Sequence, residues 1–441
     1  MKKLSINLFV ALAVFLSGLQ TIKAQCNHVV VGYWQSWNSG SLNPTYWLRD
    51  LPCSYNVVDV AFLANVAPND PTMYFPLDSN GVESTAQFIS DVAYLKSNGV
   101  KVLASIGGAN ATITIPDTTA MNNFINSLEG IINKFGFDGL DLDIENGIVI
   151  NGGDTSFINP TTPTIVNLIT AIKRLKVHYG NGFYITMAPQ TANVQGGKSA
   201  YGGVWGSYLP LIYGLRNEMN FVHVQYYNTG SCLANDANIY VESTADFIVA
   251  MNDMLFKGFT LSNGKHFPAL LPTQVAFGLP ATTGAAGGGY TLNDTVKKAL
   301  DYIMNGTSFG GKYVLTGTYP GMAGIMTWST NWDSSANYSF SKYFSQYFCG
   351  TTNFCTPTGI AENVKNENSI YTYPNPANKQ LFFSKPASFK QLEIFNMAGE
   401  RVMSVNDYNG SSINIGWLKP GVYCLRAIGE NVNMKQVFIK Q

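Results

Sequence analysis

Eight short apolar runs between residues 28 and 330 constrain this chain more than any other feature. They read HVVVGYW (28–34), VVDVAFLA (57–64), KVLASIGG (101–108), GLDLDIE (139–145), FYITMAPQ (183–190), FVHVQYYN (221–228), QVAFGLP (274–280) and GIMTWST (324–330). Runs this short and apolar suit strands covered on both faces, as in a parallel sheet. Amphipathic helical segments fall between several of them. MNNFINSLEGIINKFG (121–136) and PTIVNLITAIKRLKVHYG (163–180) are the clearest, each closing on a glycine where a C-cap belongs. The alternation predicts an α/β fold, a (β/α)8 TIM barrel, over residues 25–349. A doubly wound open sheet competes, but no glycine-rich phosphate loop opens a helix after the first strand.

Barrel chemistry sits at the C-terminal ends of the strands. The residues expected there are Tyr33 and Trp34, Ser105 to Gly108, Asp143 and Glu145, Met187 and Gln190, Gln225 with Tyr227 and Asn228, and Trp328. An aromatic, amide-rich rim around carboxylates suits a ligand with hydroxyls and apolar faces, such as a sugar ring. Trp34, Trp37, Trp205 and Trp332 read equally well as sugar platforms or as packing. Lys and Arg are scattered and balance Asp and Glu at 27 each, so no basic stripe points to nucleic acid.

The fourth run carries the strongest chemical signal. In a chain with only 12% charged residues, Asp138, Asp141, Asp143 and Glu145 crowd into one stretch with no Lys or Arg. Asp141, Asp143 and Glu145 alternate with Leu140, Leu142 and Ile144, so the three acids share one strand face. A solvated acidic face conflicts with the aliphatics around it. A calcium loop fails because the sixth-position glycine and twelfth-position Glu would fall at Asn146 and Gly152. A sugar-binding barrel without catalysis stays open. Strand residues two apart are about 6.5–7 Å apart, so Asp143 and Glu145 influence each other and Asp141 lies deeper. Burial and repulsion then keep a proton available near neutral pH. Glu145, outermost and longest, is placed to hand it to a leaving group. His223 reads as a hydrogen-bonded core residue, and Ser105 as a structural one, since no Ser–His–acid set is visible.

DGLDLDIE (138–145) matches the DxxDxDxE signature of glycoside hydrolase family 18, the chitinases and their relatives. SIGG (105–108) resembles that family's SxGG motif, QYYN (225–228) its sixth-strand motif, and Trp328 its tryptophan beneath the scissile sugar. With MAPQ and GYWQSW, the resemblance covers roughly residues 27–335. It implies a retaining, substrate-assisted hydrolysis, in which the substrate's own N-acetyl group is the nucleophile. Glu145 would be the acid and base, with Asp143, Asp141 and Tyr227 completing the catalytic set. Tyr33, Trp34, Gly108, Met187, Gln190, Gln225, Asn228 and Trp328 would line the substrate site. Chitin or N-acetylglucosamine oligosaccharides are the expected substrates. The alternatives are an endo-β-N-acetylglucosaminidase of N-glycan cores and a non-catalytic chitin-binding lectin. No metal or organic cofactor is implied, and a monomer is expected.

The termini point to export. Residues 1–24 have the basic start, apolar run and small-residue end of a cleavable signal peptide, and no later segment is apolar enough to span a membrane. Six cysteines suit an exported protein; Cys26 with Cys53 and Cys349 with Cys355 are conceivable pairs, while Cys424 stands alone. Residues 350–369 read as a linker and 370–441 as a small all-β sandwich. YPNPANKQLFF, LEIFNMAGERV and GVYCLRAIGENVNMKQVFIKQ resemble, in order, the C-terminal sorting domain of Bacteroidetes type IX secretion cargo. The type IX machinery is thus an expected partner, and a secreted or surface-attached location follows. A carbohydrate-binding or fibronectin-like module is the competing reading of this segment.

Overall fold

In the computed structural model, which describes residues 26–40, 43–355, 372–396, 399–429 and 433–441, eight parallel strands form a closed ring. They are β1 (Val29–Gln35), β2 (Val57–Asn65), β3 (Lys101–Gly107), β4 (Gly139–Asp143), β5 (Tyr184–Met187), β6 (Phe221–Gln225), β7 (Val275–Pro280) and β8 (Gly324–Trp328). Each pairs with its sequence neighbours, and β8 returns to β1 in a register running from Val29 opposite Gly324 to Gly32 opposite Thr327. Ring closure removes the sheet edges that an open sheet would have to protect.

Strand parity sorts the side chains into two sets. Val31, Tyr33, Val57, Ala61, Leu103, Phe221, Ala276 and Met326 form an apolar cluster inside the ring. Val30, Trp34, Val58, Val60, Leu140, Leu142, Ile185 and Met187 belong to the larger core under the helices. The helices are α1 (Thr85–Ser97), α2 (Thr118–Phe135), α3 (Pro163–Tyr179), α4 (Leu209–Leu215), α5 (Ala245–Lys257), α6 (Asn293–Asn305), α7 (Thr330–Ser335) and α8 (Ser339–Cys349). Their ends follow local chemistry. The Asp117 carboxylate accepts from the Ala120 N–H at 2.8 Å to open α2, and Gly136, at φ 76°, closes it. Phe124, Leu128 and Ile132 lie on its buried face, each contributing about 1.5–3 kcal/mol by leaving water.

Several strands stop short of their apolar runs, and one early stop matters. The β4 ladder ends at Asp143, so Glu145 stands on the following loop and not in the strand. The Ile144 N–H is taken by the Tyr208 hydroxyl at 2.7 Å, which ends the ladder there.

The sequence leaves the cysteine pairing open, and neither conceivable pair forms. The disulfides are Cys26–Cys349 and Cys53–Cys355, with Cα separations of 5.3 and 5.2 Å. Barrel closure explains this, because β8 pairs with β1 and α7 and α8 follow in turn, bringing the two ends of the domain together. Among the described residues, Cys232 and Cys424 are free.

The chain divides into two compact units, residues 1–358 and 359–441. Cys355 is bonded to Cys53, so the start of the expected linker belongs with the barrel. The signal-peptide reading and residues 356–369 of that linker lie outside the described residues. The second unit is antiparallel and all-β: β9 (Thr372–Tyr373), β10 (Gln380–Asn396), β11 (Arg401–Asn414), β12 (Gly421–Ile428) and β13 (Asn433–Lys440). Its strands form one continuous network in which β10 pairs with β9, β11 and β12. Leu381, Phe389, Leu392, Ile394, Leu425 and Phe438 make its core. Among the described residues, no helix is long and apolar enough to cross a membrane.

Candidate active site

The inward face of β4 carries Asp141 and Asp143, and the loop beyond it carries Glu145. Asp141 is fully buried and each of its oxygens accepts two hydrogen bonds. Oδ2 accepts from the Tyr33 hydroxyl at 2.6 Å and from Ser105 Oγ at 2.7 Å. Oδ1 accepts from Thr186 Oγ1 at 2.7 Å and from His223 Nε2 at 3.0 Å. Burial alone would push this carboxyl up, but the His223 ring and the hydrogen bonds outweigh it and hold the group below the ordinary carboxylate range. Asp141 is therefore the anionic foot of the acid row.

Asp143, 3% exposed, has a carboxylate that among the described residues accepts only from Gln225 Nε2 at 2.8 Å. Burial, then the charges of Glu145 and Asp141, push its carboxyl well up. Glu145 is half-buried, with Gln225 Nε2 3.3 Å from one oxygen and Gln190 Nε2 3.3 Å from the other. Burial pushes it up as well, against the pull of both amides. The arrangement keeps an anion at depth and, above it, two carboxyls whose affinity for a proton is raised, the outer one in reach of solvent. That suits general acid catalysis near neutral pH.

Beside the acids is an aromatic group. Phe62 and Trp328 stack at 5.6 Å and 11°, with Tyr33 5.6 Å and Trp37 6.4 Å from the Trp328 ring. Tyr227 is nearly buried, and burial followed by the charges of Asp143 and Glu145 pushes its phenol well up. Flat apolar surface next to a carboxyl group suits a sugar ring with a scissile bond.

Residues 29–280 match the family model described as Glycosyl hydrolases family 18. The chain belongs to that family. Chitinase Chi52 of Paenibacillus xylanexedens is 47% identical over 73% of this chain, and the chain spans only 61% of that relative's length. A probable class II chitinase of Arthroderma benhamiae is 37% identical, over 68% of this chain and 94% of its own. The solved structure of a family 18 chitinase from Chromobacterium violaceum is 38% identical, covering 73% of this chain and 83% of that one with a TM-score of 0.67. Residues 371–441 match the secretion system C-terminal sorting domain, which addresses the protein for export.

Within this family 18 barrel, the structure brings together Asp141, Asp143, Glu145, Gln190, Gln225, Tyr227 and Trp328, and it moves other expected site residues elsewhere. Trp34 is buried against Phe88 of α1, and its indole N–H donates to the Tyr46 carbonyl. Met187 is likewise buried under the helices. Both alternate with inward neighbours, Tyr33 and Thr186, so strand parity turns them away from the cleft. Tyr33 is buried with its hydroxyl committed to Asp141, a support beneath the ligand surface. Gly108 lies under Phe62, where a Cβ would meet the ring at 2.6 Å. The exposed Asn228 commits its amide oxygen to the N–H groups of Gly287 and Gly288, anchoring the loop after β7. Ser105 and His223 are the buried hydrogen-bonding residues expected.

Sequence reasoning passed over Asp59, Phe62 and Tyr208. Asp59 is fully buried, neither of its oxygens has a hydrogen-bond partner among the described residues, and it lies 3.7 Å from His223 Nε2. Its signal was an isolated acid within VVDVAFLA. Asp59, Asp141 and His223 bring potential ligand atoms within 4.8 Å of one another. Both Asp141 oxygens already accept two hydrogen bonds each, one of them from His223, so a cation there would have to displace that network.

Proposed function

We propose that this protein is an exported chitinase that cleaves β-1,4 bonds between N-acetylglucosamine units with retention of configuration. The observation that carries this reading is the graded row of Asp141, Asp143 and Glu145, with the outermost acid alone within reach of solvent and its pKa raised. A sugar resting on Trp328 would have its glycosidic oxygen beside Glu145. Glu145 gives its proton to that oxygen as the carbonyl oxygen of the sugar's own acetamido group attacks the anomeric carbon. The aglycone leaves as an alcohol, and an oxazolinium ion remains. Asp143 accepts a hydrogen bond from the acetamido N–H and balances the positive charge, with Asp141 and its four donors beneath. Tyr227 donates to the acetamido oxygen. Glu145, now a carboxylate, takes a proton from water as that water attacks the anomeric carbon and reopens the ring. Asp143 is nearly enclosed and bonded to Gln225, which suits orienting an acetamido group better than attacking carbon.

Product analysis on a chitin hexamer with the parent and Glu145→Gln tests this. Conversion to short oligomers by the parent alone supports the reading. An intact hexamer after incubation with folded parent overturns it, and cleavage of an N-glycan core would then assign the site to that substrate.

A further inference from the structure

Trp205 is left over from the site as described. It is 45% exposed, and its neighbour Val204 is 48% exposed, so the pair places apolar surface in water where a folded chain gains nothing from it. The indole is not a loose side chain. One face lies on Gly196, where a Cβ would come within 2.7 Å of the ring, so the glycine gives the indole a flat seat and leaves the other side open.

The backbone under Trp205 is bound to the segment carrying the acid. In the loop after β4, Ile150 exchanges two hydrogen bonds with Gly203, at 2.8 and 3.1 Å. Three residues beyond Trp205, the Tyr208 hydroxyl accepts from the Ile144 N–H at 2.7 Å, gripping the backbone between Asp143 and Glu145. Gly206 N–H donates to the Ala192 carbonyl and Asn193 Nδ2 to the Val204 carbonyl, both at 3.0 Å, which closes the loop on itself. A platform held this way keeps a fixed place relative to Glu145.

Its place in the ring decides what it can hold. The aromatic group of Trp37, Phe62 and Trp328 belongs to β1, β2 and β8. Trp205 follows β5, which in a ring ordered β1 to β8 stands opposite β1. Glu145, after β4, lies between the two along the rim. If the reacting sugar rests on Trp328, the chain beyond the scissile oxygen leaves on the side of β4 and β5. We propose that Trp205 is the stacking platform for the sugars on the leaving-group side of the cleft. This rests on the hydrolase reading above and adds that the cleft binds chain on both sides of the bond it cuts.

The test compares Trp205→Ala with the parent on two substrates. A chitin hexamer extends past the acid, whereas chitobiosyl fluoride ends at a single leaving atom and cannot reach Trp205. We expect KM for the hexamer to rise about tenfold, the loss of one buried aromatic face, with the kinetics on the fluoride unchanged. Trp205→Phe, which keeps a stacking face, should recover most of the loss. Equal losses on both substrates would make Trp205 a structural residue and overturn the proposal, as would no change on either. A parent that cleaves neither substrate would remove the hydrolase reading and this proposal with it, an outcome distinct from a parent that cleaves both and ignores the substitution.

Discussion

The side-chain amide of Gln225 donates a 2.8 Å hydrogen bond to Asp143, the only one that this carboxylate accepts among the described residues. The same nitrogen lies 3.3 Å from Glu145, so one amide restrains the upward shift of both acids. Replacing Gln225 with Met removes that restraint. On the proposed mechanism Glu145 must be protonated to act as the acid, so a further rise in its pKa moves the loss of activity to higher pH. We expect the alkaline limb of kcat/KM to shift upward, with kcat falling by about tenfold or more as Asp143 becomes harder to ionise. An alkaline limb that stays in place would show that the amide does not tune the acids.

What the sequence disclosed about the site, and what it hid, divides along physical lines. The eight strands and the acid row were legible because burial on both faces and alternation are local patterns. Trp34 and Met187 were misjudged by position alone: both sit near strand ends, yet each alternates with an inward neighbour and so faces the helices. Glu145 leaves the strand early because Tyr208, 63 residues on, takes a backbone N–H that alternation within the run does not register. The disulfide pairing was not legible, because ring closure joins cysteines more than 300 residues apart.

Asp59 offers a prediction about stability. Burial, then the charges of Asp141 and Asp143, push its carboxyl well above the ordinary range. An acid raised by folding stays protonated in the native state while the unfolded chain ionises, so stability falls as pH climbs from about 4 towards the folded pKa. The loss from this fully buried group is about 1.4 kcal/mol per pH unit. Asp59→Asn abolishes it. The melting temperature of the variant should therefore gain on the parent from pH 4 to pH 7, and a gap that stays constant or narrows would refute the assignment.

The disulfides make a second stability prediction. Cys26–Cys349 and Cys53–Cys355 close loops of 323 and 302 residues, which strongly restricts the unfolded chain. Replacing Cys26 and Cys349 with Ser should cost about 2–5 kcal/mol, and removing both bonds should cost more than either alone. Urea denaturation of the three variants measures this. Equal stability of parent and double-bond variant would mean that the barrel's pairing, and not its cross-links, holds the ends together.

Gly108 lies directly under the Phe62 ring, which stacks on Trp328. Its φ of 67° disfavours any side chain, and an added Cβ would approach the Phe62 ring to 2.6 Å. Gly108→Ala therefore carries two separable costs, backbone strain and displacement of a ring that stacks on Trp328. We expect about 1–3 kcal/mol of lost stability and a several-fold rise in KM for chitin oligomers, because the apolar floor tilts. Phe62→Ala removes the ring and with it the clash. In that background Gly108→Ala should still cost the strain but should no longer change KM. An unchanged KM effect in the double variant would show that Gly108 acts on the substrate directly and not through Phe62.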